Sequence, residues 1–120
     1  MNTSSSPEAI APIPMHELRW SPAEKAAARK AFDLALGREL QEVTREAQQR
    51  AARIEEPSEL WELERFLTKH RQEIDRKYDY RYSVLPLVFT ILLREGRLSE
   101  EDLKGLGNDK LSHIRLGAAL

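Results

Sequence analysis

The sequence predicts an all-α fold, and three observations carry that prediction. Apolar side chains return at spacings of three and four and never alternate as in a strand. The long stretches between prolines are rich in alanine, glutamate, glutamine and arginine, all good helix formers. Serine followed closely by acidic residues stands where helices would begin, as in "WSPAE" and "LSEED". The 120 residues are material for one domain, with 41% hydrophobic and 32% charged residues, a balance suited to a water-facing helical protein.

Residues 1–14 carry the hydroxyl run Thr3–Ser6 and Pro7, Pro12 and Pro14 with little apolar pattern, so a disordered tail is expected, followed by one helical domain over 15–120. Ser21 caps the first helix, Pro22 fits its first position and Glu24 completes a capping box. No proline then interrupts the chain until Pro57, which predicts an unusually long helix. Within it Leu36, Leu40, Val43, Ala47 and Ile54 fall at spacings of four, three, four and seven, the seam of a coiled coil or a long antiparallel pair. A helix of that length stands clear of a small domain, and a second copy is the natural cover for its seam.

Ser58 is the expected cap of the second helix, on which Leu60, Leu63, Leu67, His70 and Ile74 repeat the pattern up to an end near Tyr78–Tyr80. Ser83 is the expected cap of a third, "VLPLVFTILLREG", with Pro86 in its first turn and Gly96 as its stop. It is apolar nearly all round and should be the most buried element. Ser99 with Glu100, Glu101 and Asp102 starts a short fourth helix that ends around Gly105 and Gly107, and "NDKLSHIRLGAAL" gives a last turn or short helix.

The function classes narrow by exclusion. Lysine plus arginine number 19 against 20 acidic residues, net −1, so no global field draws the chain to nucleic acid or an anionic membrane. There is no cysteine, hence no disulfide, no thiol nucleophile and no cysteine-based zinc site. No signal-peptide pattern and no membrane-spanning stretch occur, and a cytoplasmic protein is expected. His16, His70 and His113 are too far apart for a helical metal site, and no phosphate loop or catalytic motif is present, so neither metal nor cofactor is expected. His70 on the seam reads as a hydrogen-bonded core or interface group.

Trp61 shares a helix face with Glu64, Arg65 and Thr68, with Arg71 and Gln72 a turn further on. Tryptophan among arginines is the composition of a protein-binding hot spot; the plainer reading folds Trp61 down at the core edge. Arg71, Arg76, Lys77 and Arg81 alternate with Glu73, Asp75 and Asp79, which favours a salt-bridged surface over a phosphate-reading one.

The succession "LWELERFL", "RQEIDRKYDYRYSV" and "VFTILLREG", with "WSPAE" and "GREL" before it, resembles the cyanobacterial fluorescence recovery protein family over about residues 18–116. The resemblance implies an elongated, all-helical homodimer built on one long N-terminal helix, with the last helices forming a compact head. It also implies a non-enzymatic role, in which the protein binds the C-terminal domain of photoactivated orange carotenoid protein and hastens its return from red to orange. That return ends quenching at the phycobilisome. Trp61 and Arg71 match the family's partner surface, and Leu60 matches an apolar dimer contact. The chain departs from the pattern at Glu64 and Arg65, where the family has histidine and aspartate, at Leu87 for a phenylalanine and at His113 for a lysine. Arg65 reverses a charge at a spot expected to meet the partner, and like charges brought together there oppose binding strongly. A homologue with a different protein partner is therefore an alternative. Two further ones are a helical enzyme of chorismate-mutase type, from the short match "RQEID", and a helical nucleic-acid-binding dimer.

Overall fold

A computed structural model describes residues 13–120, so most of the expected tail lies outside the described residues; Ile13 and Pro14 are exposed. Four α-helices follow one another: α1 Pro22–Ala52, α2 Leu60–Lys77, α3 Leu85–Arg94 and α4 Asn108–Ala119. Short 3-10 turns occupy Met15–Glu17, Pro57–Glu59 and Glu101–Leu103. The all-helical prediction holds, and α1 at 31 residues is about 46 Å long at 1.5 Å per residue.

α1 begins as its sequence dictates. The Glu24 amide donates to the Ser21 hydroxyl (3.1 Å) and the Ser21 amide to the Glu24 carboxylate (3.0 Å). It stops at Ala52, short of Pro57, because the residue before a proline is driven out of the helical region: Glu56 sits at φ −103, ψ 137. Ser58 does not cap α2. It lies inside the 3-10 turn, and Glu59 takes the free amides of Glu55 and Glu56 (2.7 and 2.8 Å). Ser83 makes no cap bond to α3 either, whose preceding residue is Val84. Ser99 does form a reciprocal pair with Asp102 (3.2 and 2.9 Å), but it opens a single 3-10 turn and not an α-helix. Gly105, at φ 106, turns the chain away directly after it. At the end of α3, Gly96 (φ 75) allows the Arg97 amide to reach back to the Leu92 carbonyl at 2.9 Å.

The core forms where α3 and α4 close over the first half of α1. Ala28, Ala31, Phe32 and Ala35 meet Leu85, Val88, Phe89, Leu92 and Ile114, with Leu98, Leu103 and Leu106 from the connecting turns. Alanine on α1 leaves room for the larger side chains of this cluster, and Gly117 lets α4 close on α3: a Cβ there would stand 2.6 Å from Thr90. α3 is the most buried helix, yet not on every side, since Leu87 is 48% exposed. α2 ends at Lys77 because the tyrosines after it turn inward. Tyr78 and Tyr80 stack edge-on against Phe32 (5.4 and 4.8 Å), and Tyr82 packs on Trp20 (5.2 Å).

A buried clasp joins the start of α1 to the start of α4. Lys110, only 2% exposed, donates to the Arg19 carbonyl and to Glu24 and Asp109 (3.1 Å each), with its ammonium 5.1 Å from the Trp20 ring centre. Glu24 also receives the Gly107 amide at 2.7 Å. Burial pushes the Glu24 carboxyl upward, but the Ser21 and Gly107 amides and the Lys110 ammonium outweigh it and hold the group below its ordinary 4.5. A folded value below the unfolded one means that this stabilisation is complete above about pH 4.5 and is lost as the pH falls through the folded value. Glu24→Gln is expected to lower stability by about 1.5–3 kcal/mol at neutral pH and to flatten the acid limb. Denaturant titrations of both proteins at neutral and acid pH check this, and equal midpoints at neutral pH would contradict it.

Candidate functional site

Beyond the head, the second half of α1 and α2 form a hairpin only two helices thick. Its inner end is fixed by Glu39, 6% exposed, which accepts from the Tyr78 hydroxyl (2.8 Å), the Lys77 ammonium (2.9 Å) and the Arg97 guanidinium (3.2 Å). Lys77 and Arg97 also share Glu95 (2.8 and 2.9 Å). Burial, and then the bond to Glu39, pushes the Tyr78 phenol far above its ordinary value. Nearer the tip, Phe66 is buried with the Arg50 guanidinium 4.3 Å from its ring centre, and His70 stacks on it at 4.4 Å.

This geometry divides the expected seam. Phe66, absent from that seam, fills the inward stripe with half-buried Leu63 and His70 and with buried Ile74, whereas Leu60 and Leu67 turn out at 50% and 42% exposure. On α1, Leu36, Val43, Ala47 and Ile54 are half-buried and Leu40 is exposed. Phe66 stands three residues after Leu63 and four before His70, so its spacing was a usable signal. Nothing local marks Glu39 for burial.

Trp61 is 60% exposed and does not fold down onto the core. Its neighbour Glu64 accepts the Thr68 hydroxyl at 2.7 Å. Arg65 and Arg71 are exposed and, among the described residues, neither forms an ion pair. The salt-bridged surface expected around them forms only in part. Arg81 pairs with Asp79 (2.6 Å) and Lys77 goes to Glu39 and Glu95, while Arg76, like Arg71, has no acidic partner among the described residues. Arg71 precedes Asp75, which is the weaker order for a pair four apart. Leu87 opens onto an apolar groove of about 350 Å³ with Val84, Val88 and Ile91, rimmed by Arg76 and Lys77 from the end of α2. Trp61, Glu64, Arg65 and Arg71 thus share one helix, and the Leu87 groove adjoins its far end. His113 is separate: it lies on α4, its Nε2 against the Ile13 carbonyl.

The described residues contain no group of acidic and histidine side chains able to hold a metal, and no helix long and apolar enough to cross a membrane. Fold and surface together define an all-helical protein with a compact head and a two-helix stalk that presents exposed side-chain faces. The family model of the photoprotection regulator fluorescence recovery protein matches residues 20–118, and the chain belongs to that family. It is 42% identical over 104 residues to the fluorescence recovery protein of Synechocystis sp., spanning 87% of this chain and 95% of that one. The solved structure of the Synechocystis protein aligns with a TM-score of 0.79 at 42% identity, covering 85% of this chain and all of that one. The Fremyella diplosiphon fluorescence recovery protein aligns equally well, with a TM-score of 0.79 at 40% identity and the same coverage.

Glu39→Ala is expected to destabilise the fold by about 1–3 kcal/mol, because the Tyr78 hydroxyl would lose its acceptor while half-buried Lys77 and Arg97 would keep only Glu95 between them. Urea unfolding measures it; a change within about 0.5 kcal/mol would show that the junction is replaceable.

Proposed function

We propose that this chain acts as a fluorescence recovery protein, a non-enzymatic cytoplasmic regulator that binds the C-terminal domain of photoactivated orange carotenoid protein and hastens its return from red to orange. The exposed Trp61, with Arg71 exposed on the same helix and without an ion pair among the described residues, carries the reading, within a chain of that family. Large aromatics and arginine are the side chains that dominate protein interfaces, and an indole 60% exposed in the single chain has apolar area still to bury. A protein that hastens a conformational return must bind the barrier between the two forms more tightly than the starting form. A rigid helical face held at both ends of α2 suits that requirement. Glu64, Arg65 and the Leu87 groove extend the surface, and His113 contributes from α4.

The working unit is a homodimer. Leu40, Leu60 and Leu67 are exposed beside half-covered Leu36, Val43, Ala47 and Ile54, an apolar edge that a second hairpin would cover. Leu60→Glu is expected to give monomer or a much weaker dimer, because it places a charge in that edge. Light scattering that shows an unchanged dimer would refute this placement.

Arg65 favours a second reading, in which the partner is a different protein. Under the first reading the wild type accelerates red-to-orange decay poorly, and Arg65→Asp, with Glu64→His, improves it. Trp61→Ala in that background reduces the gain by roughly thirtyfold, about 2 kcal/mol of binding. The dark decay of red-form absorbance measures all three. Strong acceleration by the wild type that is indifferent to Arg65 would make Arg65 a bystander.

A further inference from the structure

Three cations on the outer side of α2 have no counter-charge among the described residues. Arg65, Lys69 and Arg76 are four and seven residues apart, which places them within about 40° of one another around the helix and along about 17 Å of its length. All three are exposed, and none forms an ion pair among the described residues. The nearby acids do not neutralise them. Glu46 is occupied by Arg50 at 2.9 Å, and Glu62 and Glu73, within helical reach of the stripe, bond to none of its members. Lys69 precedes Glu73, again the weaker order. At the Arg65–Lys69 end the side chains open onto a shallow cleft of about 390 Å³ floored by Phe66. At the other end Arg76 borders the Leu87 groove, and Trp61 stands one turn before Arg65.

We infer that this stripe docks an acidic ridge of the protein partner: a row of carboxylates about 17 Å long, with apolar side chains beyond its two ends that seat on Trp61 and in the Leu87 groove. Like-charged side chains held in a row repel one another in the free protein, and an anionic partner relieves that repulsion as it binds. A nucleic acid is the poorer fit. Three cations, with Glu62 before Arg65 and Glu73 between Lys69 and Arg76, on a chain of net charge −1, fall well short of the roughly six to ten phosphate contacts of a typical nucleic-acid binder. The inference rests on the second reading above, in which the outer face of α2 meets a protein partner other than the carotenoid-protein domain, and adds the charge that partner must carry.

The test compares wild type with Arg65→Gln/Lys69→Gln/Arg76→Gln, a variant expected to fold and melt unchanged because its side chains are exposed and unpaired. Four probes are titrated over a range of salt: the C-terminal domain of an orange carotenoid protein, a short poly-glutamate peptide, a short single-stranded RNA and vesicles containing phosphatidylserine. Wild type is expected to bind poly-glutamate more tightly than RNA or vesicles, and the variant to lose at least about tenfold in affinity along with most of the salt dependence. Equal poly-glutamate binding by the two proteins overturns the inference, and so does a stripe-dependent preference for RNA or vesicles. Binding of the carotenoid-protein domain that ignores the stripe, or that tightens when the stripe is removed, overturns it while leaving the proposed function intact. Stripe-dependent binding of poly-glutamate without binding of that domain supports the inference and removes the proposed partner.

Discussion

The arrangement turns on one buried carboxylate. Glu39 takes hydrogen bonds from Tyr78, Lys77 and Arg97, that is, from the end of α2 and the turn after α3, while itself belonging to α1. No apolar contact could tie three elements at a point with the same directional demand, because each donor must approach a lone pair of the same two oxygens. The junction fixes where α2 ends against α1 and, with Phe66 seated nearer the tip, its rotation about its own axis. Trp61, Arg65, Lys69 and Arg76 face outward as a consequence of that rotation.

The head answers a different constraint. α1 offers mainly alanines to the core, and Gly117 lets α4 come within contact of Thr90, so α3 and α4 approach closely and leave little room for adjustment. Lys110 and Glu24 then hold the segment before α1 against the start of α4. Such a buried pair adds directional restraint more than net stability, since desolvation of the two charges offsets much of their attraction. The stalk lacks this depth. Phe66 and Ile74 are the buried apolar residues of the hairpin beyond the head, which leaves leucines along its edges and makes a second copy the physical complement of the proposed dimer.

The crowded stretch 60–85 resolves into two populations. Its tyrosines belong to the core: Tyr78, Tyr80 and Tyr82 stack on Phe32 and Trp20, and Lys77 is spent on the Glu39 junction. Its tryptophan and most of its arginines remain outside, and among the described residues Arg65, Arg71 and Arg76 form no ion pair. Composition is the same for both groups; position relative to the turn after Lys77 separates them.

The local chemistry of the chain determined by itself that helices form and where several begin or end. The Ser21–Glu24 box, Pro57 and Gly96 act over fewer than five residues, and such signals are complete within the sequence; the motifs over 18–116 were likewise enough to indicate the family. Ser58 and Ser83 carried the same signal without the outcome, because Glu59 and the inward turn of the tyrosines supplied other ways to satisfy the backbone. Only the tertiary structure decided that Phe66 turns in and Leu67 out, that Glu39 and Lys110 are buried, and that Arg65, Lys69 and Arg76 have no ion-pair partner among the described residues. Periodicity defines an apolar face to within a residue's width, whereas burial of a charge depends on donors that are 38 residues away for Glu39 and on an acceptor 86 away for Lys110. Such partners meet only after the helices have packed.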